Sequence, residues 1–150
     1  MPKKKTDFTI VFDKQEKQGR YSYKGAIRKH LKTGDYSILG LEDKVTVERK
    51  TKPDAFGSFG KGRPRLKKEF ERLSKYMYGA IVLEINLSDI LYPPPYSKMK
   101  PKSVINTLIS WSIRYNVHVW FGGNRDHSEA LTYRILEKFW RYWDKMIEEG

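Results

Sequence analysis

Two carboxylates and an amine stand close together in one stretch of this chain. Gly34-Asp35-Tyr36-Ser37-Ile38 is followed, after a short spacer, by Val45-Thr46-Val47-Glu48-Arg49-Lys50-Thr51-Lys52-Pro53-Asp54. The β-branched alternation from Val45 to Lys50 predicts a short strand, and its period of two projects Glu48 and Lys50 from one face and Arg49 from the other. Asp35 belongs to an earlier extended segment; if a turn at Glu42-Asp43-Lys44 pairs the two segments antiparallel, its carboxylate neighbours Glu48. Such oxygen ligands suit a hard divalent cation like Mg2+, which binds through one or two carboxylates and keeps waters that can be deprotonated for attack. A lysine beside that cation orients or activates the attacking water, or neutralises charge developing on a phosphate. The bland alternative is an edge strand whose charges form surface ion pairs worth little. Spacing alone leaves both readings open, because short charged patterns recur by chance.

The elements that must position these residues read as follows. Phe8 to Asp13 predicts a buried first strand, which places Asp13 at a strand's carboxyl end where α/β sites usually lie, with Glu16 just beyond. Tyr21 to Leu31, mostly basic and polar, predicts an exposed or edge strand, and Ser37 to Leu41 another strand. Pro53 and Asp54 open a helix, so Asp54 serves equally as a first-turn acid or as a ligand. Phe56 to Arg63 reads as a glycine-rich basic loop with Lys61 and Arg63, and it lacks the Gly-Lys-Ser/Thr of a Walker loop. Leu66, Phe70, Leu73 and Met77 fall at helical spacing, with Arg65, Lys68, Arg72 and Lys75 on another face that suits solvent or a phosphate backbone.

Ala80 to Ile85 predicts a central strand whose one acid, Glu84, must be paired or ligating and is expected beside Glu48 or Lys50. Tyr92 to Lys102 holds four prolines and predicts a stiff loop, its tyrosines packed over the core or stacked on bases. Ser103 to Asn116 predicts a helix and His118 to Phe121 a strand closed by Gly122-Gly123. A last helix over 126–147 follows, with Trp140 and Tyr142 as aromatic surface for a dimer contact. His118 and His127 have no partners in sequence that make a ligand set.

Gly-Asp, a spacer, Glu-Arg-Lys, three residues and Asp resembles the signature of the XPF-type structure-specific endonuclease domain, a branch of the restriction-enzyme-like nucleases. It falls on Gly34, Asp35, Glu48, Arg49, Lys50 and Asp54. The opening strand is similar too, with an Asp followed three residues later by a Glu, although Gln15 stands where the family usually has Arg. The resemblance implies an α/β single domain, a restriction-endonuclease-like mixed sheet flanked by helices, over residues 7–150 behind a basic tail at 1–6. It implies Mg2+- or Mn2+-dependent cleavage of branched DNA such as flaps, forks or junctions. Asp35, Glu48, Arg49, Lys50 and Asp54 become the catalytic set, with Asp35, Glu48, Asp13 and Asp54 as metal ligands. Lys61, Arg63, Arg65, Lys68 and Arg72 become the DNA contacts, and a homo- or heterodimer through the nuclease domain is expected. The sequence ends without the tandem helix-hairpin-helix module that many members carry, so structure selectivity is expected from a partner, a dimer, or the basic loop and helix.

Composition bounds the rest. With 39% hydrophobic residues, 150 residues can bury one sizeable core. Zero cysteines exclude disulfides and cysteine-ligated zinc, which leaves carboxylates as the plausible metal ligands. A formal net charge of +12 favours a polyanionic partner, nucleic acid before a membrane surface. No membrane span or secretory signal is evident, so an intracellular protein is expected, cytoplasmic or, in a eukaryote, nuclear. The lysines at 3–5 are expected in the tail as solvated charges or an import-like signal. Two rivals stand beside the nuclease reading: a degenerate scaffold that partners another nuclease, and a junction resolvase or other restriction-like nuclease.

Overall fold

A computed structural model of the chain describes residues 7–16, 19–95 and 97–150. Its strands are β1 (Ile10–Asp13), β2 (Ile27–Lys29), β3 (Tyr36–Ile38), β4 (Val45–Lys50), β5 (Tyr78–Leu83) and β6 (Val117–Phe121). Its helices are α1 (Lys52–Phe59), α2 (Arg63–Leu73), α3 (Leu87–Leu91), α4 (Pro101–Tyr115) and α5 (Arg125–Glu149). The strands form one mixed sheet in the order β2-β1-β3-β4-β5-β6. β1, β3 and β4 pair antiparallel in turn, while β4, β5 and β6 run parallel and β2 lies parallel to β1. The expected basic tail lies outside the described residues.

The parallel connections β4 to β5 and β5 to β6 pass through helices, whereas β1 reaches β2 through a loop, and the two faces are covered differently. On one face α5 packs against β3, β4 and β5, with Ile135, Leu136 and Phe139 meeting Val45, Val47, Ala80 and Val82. On the other face Leu66, Phe70 and Leu73 of α2 and Val104 and Leu108 of α4 meet Ile81, Leu83 and Val117. The alternation along β5 therefore feeds two cores, as a sheet between helical layers requires, while β4 gives Val45 and Val47 to the first.

Several local expectations change. α1 already covers Lys52 to Phe59, so only Gly60, Lys61 and Gly62 remain of the expected basic loop. The Oγ1 of Thr51 caps it by accepting from the Asp54 N–H, and Pro53 fits its first turn. α2 ends at Leu73, so Met77 is 46% exposed rather than core and Lys75 lies beyond the helical stripe. Of the expected edge strand only Ile27–Lys29 is extended and exposed; Tyr21 is fully buried, stacked on Tyr36 with centroids 5.0 Å apart. Tyr92 is exposed rather than packed over the core, and Tyr96 lies outside the described residues. Asn116 ends α4 in the left-handed region at φ 52°. No helix among the described residues is long and apolar enough to cross a membrane.

Candidate active site

The site is built where β3 meets β4. The Asp35 N–H donates to the Val47 carbonyl at 2.8 Å, and Tyr36 pairs with Val47 across the antiparallel ladder. Continuing that register sets Asp35 against Glu48, where cross-strand side chains share a face. Gly34 makes the entry possible: its φ is +84°, and an added Cβ would stand 2.0 Å from Thr46 Oγ1.

Four charged groups, Asp35, Glu48, Lys50 and Glu69, meet on this face. Lys50 Nζ lies 3.9 Å from Glu48 Oε2 and 2.9 Å from Glu69 Oε1, and the Lys50 side chain is only 7% exposed. Burial pushes the Asp35 carboxyl up to about 7; the Arg49 backbone N–H, donating to Oδ2 at 2.7 Å, opposes this, and the charge of Glu16 adds to it. Burial also raises Glu48 well above the ordinary carboxylate range, with the neighbouring Asp35 charge next in importance and Lys50 opposing it. Two buried carboxylates that resist joint ionisation form a place where added positive charge is favoured.

The opposite face carries a separate polar network. Arg49 Nε donates to Glu84 Oε2 at 2.7 Å, and Nη1 reaches Glu16 Oε2 at 3.4 Å. The Tyr21 hydroxyl donates to the same Glu84 oxygen, and the Tyr36 hydroxyl to Glu16. The Arg49 guanidinium stacks 4.5 Å over the Tyr21 ring. Glu84 thus serves Arg49 behind the sheet; the expectation that it sits beside Glu48 or Lys50 is corrected, because strand parity turns it the other way.

Among the expected site residues, then, Asp35, Glu48 and Lys50 come together. The Arg49 side chain does not join them, although its backbone holds Asp35. Asp13 is 8% exposed at the end of β1, and its carboxylate accepts from the Leu31 N–H at 2.8 Å and the Gln15 N–H at 3.1 Å. It ties the loops at the rim, and its charge adds to the upward pressure on Asp35. Asp54 is exposed in the first turn of α1, where its N–H donates to Thr51 Oγ1. Arg65, Lys68 and Arg72 are exposed along α2, as is Lys61 in the turn before it. Arg63 stands with its guanidinium 5.3 Å over the Trp111 ring.

A match along the sequence decides the kinship: the ERCC4 domain covers residues 13–135. The chain belongs to the ERCC4 domain family. The match spans every candidate residue from Asp13 to Arg72. Solved structures agree on the fold of this ERCC4 domain. XPF from Aeropyrum pernix superposes with a TM-score of 0.70 at 20% identity, over 93% of this chain and 69% of that one. XPF from the same organism in complex with DNA gives 0.70 and 20% over 93% and 66%. The chain therefore spans about two thirds of the length of those XPF chains. No curated protein sequence matches it. The expected XPF-type endonuclease domain and its mixed sheet flanked by helices are both borne out.

Sequence reasoning missed Glu69, Tyr21 and the Tyr36–Glu16 contact. Glu69 carried a signal: it stands three residues after Leu66 and one before Phe70, on the margin of the apolar stripe of α2, where an acid needs a partner. The period-two pair Tyr21 and Tyr23 was the signal for the tyrosine layer.

The donor set fits a divalent cation in a limited way. Among the described residues no cluster of three or more metal-ligand side chains occurs. Asp35 and Glu48 are a two-carboxylate set, which suits Mg2+ or Mn2+ completing its shell with water and a substrate phosphate.

Proposed function

We propose that this ERCC4 domain is an Mg2+- or Mn2+-dependent endonuclease that hydrolyses phosphodiester bonds in branched DNA such as a flap, fork or junction. The observation that carries the reading is the buried pairing of Asp35 and Glu48 beside Lys50 at the finishing end of β4. A nuclease needs positive charge there to bring anionic DNA to two acids, and the formal net charge of +12 favours that polyanion. The XPF of Aeropyrum pernix has been solved with DNA, which supports the same partner class here.

Asp35 and Glu48 would hold the cation, which when bound supplies an acidified water and charge stabilisation at the phosphate. Water oxygen adds to phosphorus, the bond from phosphorus to one deoxyribose oxygen breaks, and that oxygen leaves with a proton. Lys50, held by Glu69 and Glu48, meets the negative charge that develops on the phosphoryl oxygens. Arg49 positions Asp35 through its backbone N–H. The exposed cations Arg65, Lys68 and Arg72 of α2, with Lys61 and Arg63, contact the DNA backbone. A dimer contact draws support from exposed Tyr142 on α5 and Trp120 on β6.

The deciding experiment incubates the protein with flap, fork, four-way junction and linear duplex DNA in Mg2+, Mn2+ or EDTA. Cuts near the branch point are expected with either metal, none in EDTA, and none from Asp35→Asn, whose DNA affinity stays close to wild type. Failure to cut any branched substrate in both metals, with binding intact, would replace the enzyme by a degenerate scaffold.

A further inference from the structure

A second concave feature opens at the end of the sheet where the acids lie. α1 begins directly after Lys50, and α4 precedes β6, which runs parallel to β4 and β5, so the N-terminus of α4 lies at that same end. Between the α1–α2 turn and the start of α4 is a cavity of about 350 Å³. Phe56 and Phe59 line one part of it, and Arg63, Lys98, Lys100 and Ser103 another. Among the described residues no acidic side chain lines it. The volume falls in the range of small-ligand sites and accommodates about one nucleotide.

Each part of this lining has a chemical use. Phe56 and Phe59 are half-buried and meet edge to face with centroids 6.2 Å apart, so they are placed by packing before any ligand arrives. Arg63 is oriented by the Trp111 ring. α4 has no side-chain cap and no acid in its first turn, so nothing there competes with an anion. Aromatic faces beside a cationic rim are the arrangement that holds single-stranded nucleic acid, through base stacking and phosphate charge. A regular duplex keeps its bases stacked inside and cannot offer one to Phe56 and Phe59.

We propose that this cleft is a subsite for one nucleotide of single-stranded DNA, the base against Phe56 and Phe59 and the flanking phosphates against Arg63, Lys98 and Lys100. The inference rests on the DNA reading above and deepens it, by assigning the unpaired arm of a branched substrate to the α1–α2 side of the sheet end.

The test measures binding without cutting. Fluorescence anisotropy of a labelled oligothymidylate and of a blunt duplex is followed in EDTA over a salt series. Lys98→Glu with Lys100→Glu is expected to weaken oligothymidylate binding about tenfold or more and to flatten its salt dependence by roughly two phosphate contacts, while duplex binding falls far less. A charge-matched control, Lys138→Glu with Lys145→Glu on α5, changes net charge equally at a distant place and is expected to weaken both DNAs slightly and alike. Phe56→Ala is expected to weaken the oligothymidylate about tenfold at unchanged salt slope. The proposal is overturned if the control pair weakens oligothymidylate as much as the cleft pair, or if the cleft pair leaves it unchanged. Wild-type binding of the duplex together with either result sinks the subsite alone; absence of binding to both DNAs sinks the DNA reading with it.

Discussion

The backbone N–H of Arg49 donates to Oδ2 of Asp35 at 2.7 Å, while the guanidinium of the same residue turns to the opposite face and meets Glu84 at 2.7 Å. One residue therefore fastens the candidate site from behind the sheet. Its side chain is 12% exposed and Glu84 is 8% exposed, so removing the cation strands a buried carboxylate. Arg49→Met is expected to lower unfolding free energy by about 3–5 kcal/mol, and adding Glu84→Gln to recover much of that. Urea denaturation of the single and double variants checks it. If Arg49→Met instead loses cleavage at full stability, the guanidinium acts on the substrate rather than on the fold.

Gly34 makes a sharper case for backbone control. Its φ of +84° already disfavours a side chain, and the new Cβ would collide with Thr46 Oγ1, which donates to the Thr33 carbonyl at 2.8 Å. Gly34→Ala is expected to cost on the order of 1–3 kcal/mol and to shift Asp35, so that cleavage falls further than the folded fraction does. Adding Thr46→Ala relieves the collision but not the strained φ, and partial recovery of the melting temperature is the expected result. Thermal melts beside nicking assays at a temperature well below the transition separate the two effects.

The parts legible in sequence were those set by a local period. Alternation in β4 placed Glu48 and Lys50 on one face and Arg49 on the other, and apolar runs located β5 and β6. The Gly34–Asp54 pattern located the site before any pairing was known. What stayed hidden depends on long-range contacts. Three glycines, Gly57, Gly60 and Gly62, made Phe56 to Arg63 look like a loop, yet the Thr51 cap, Pro53 and the burial of Ala55 carry α1 through Gly57. Tyr21 sits among polar neighbours, and only its stacking on Tyr36 and its bond to Glu84, 63 positions away, explain its burial. Glu69 reaches Lys50 from another element, so its role follows from the packing of α2 on the sheet.

Lys50 and Glu69 allow structure and chemistry to be separated. Lys50→Ala leaves Glu48 and Glu69 without the ammonium between them, so it is expected both to destabilise the fold and to reduce cleavage by about a hundredfold or more. Adding Glu69→Gln removes one of the stranded charges. Stability is expected to return while cleavage stays lost, because the amine that meets phosphate charge is still missing. Recovery of cleavage along with stability would place Lys50 among the purely structural residues.

The raised Asp35 carboxyl predicts an unusual pH response in metal-free protein. Burial lifts it from 3.8 to about 7, so between those values the folded state holds a proton that the unfolded state has released. Stability then falls as pH rises from about 4 towards 7, and the cost of the buried charge, on the order of a few kcal/mol, is fully present above that window. Asp35→Asn removes the titration and keeps an oxygen for the Arg49 N–H. In EDTA the wild-type melting temperature is expected to decline across this window more steeply than that of Asp35→Asn, and the variant is expected to be the more stable protein at pH 8. Added Mg2+ or Mn2+ offsets the buried charge and is expected to stabilise wild type at pH 8 but not Asp35→Asn. Melting curves at matched ionic strength read each of these differences, and parallel curves for the two proteins would mean that Asp35 is already well solvated or paired.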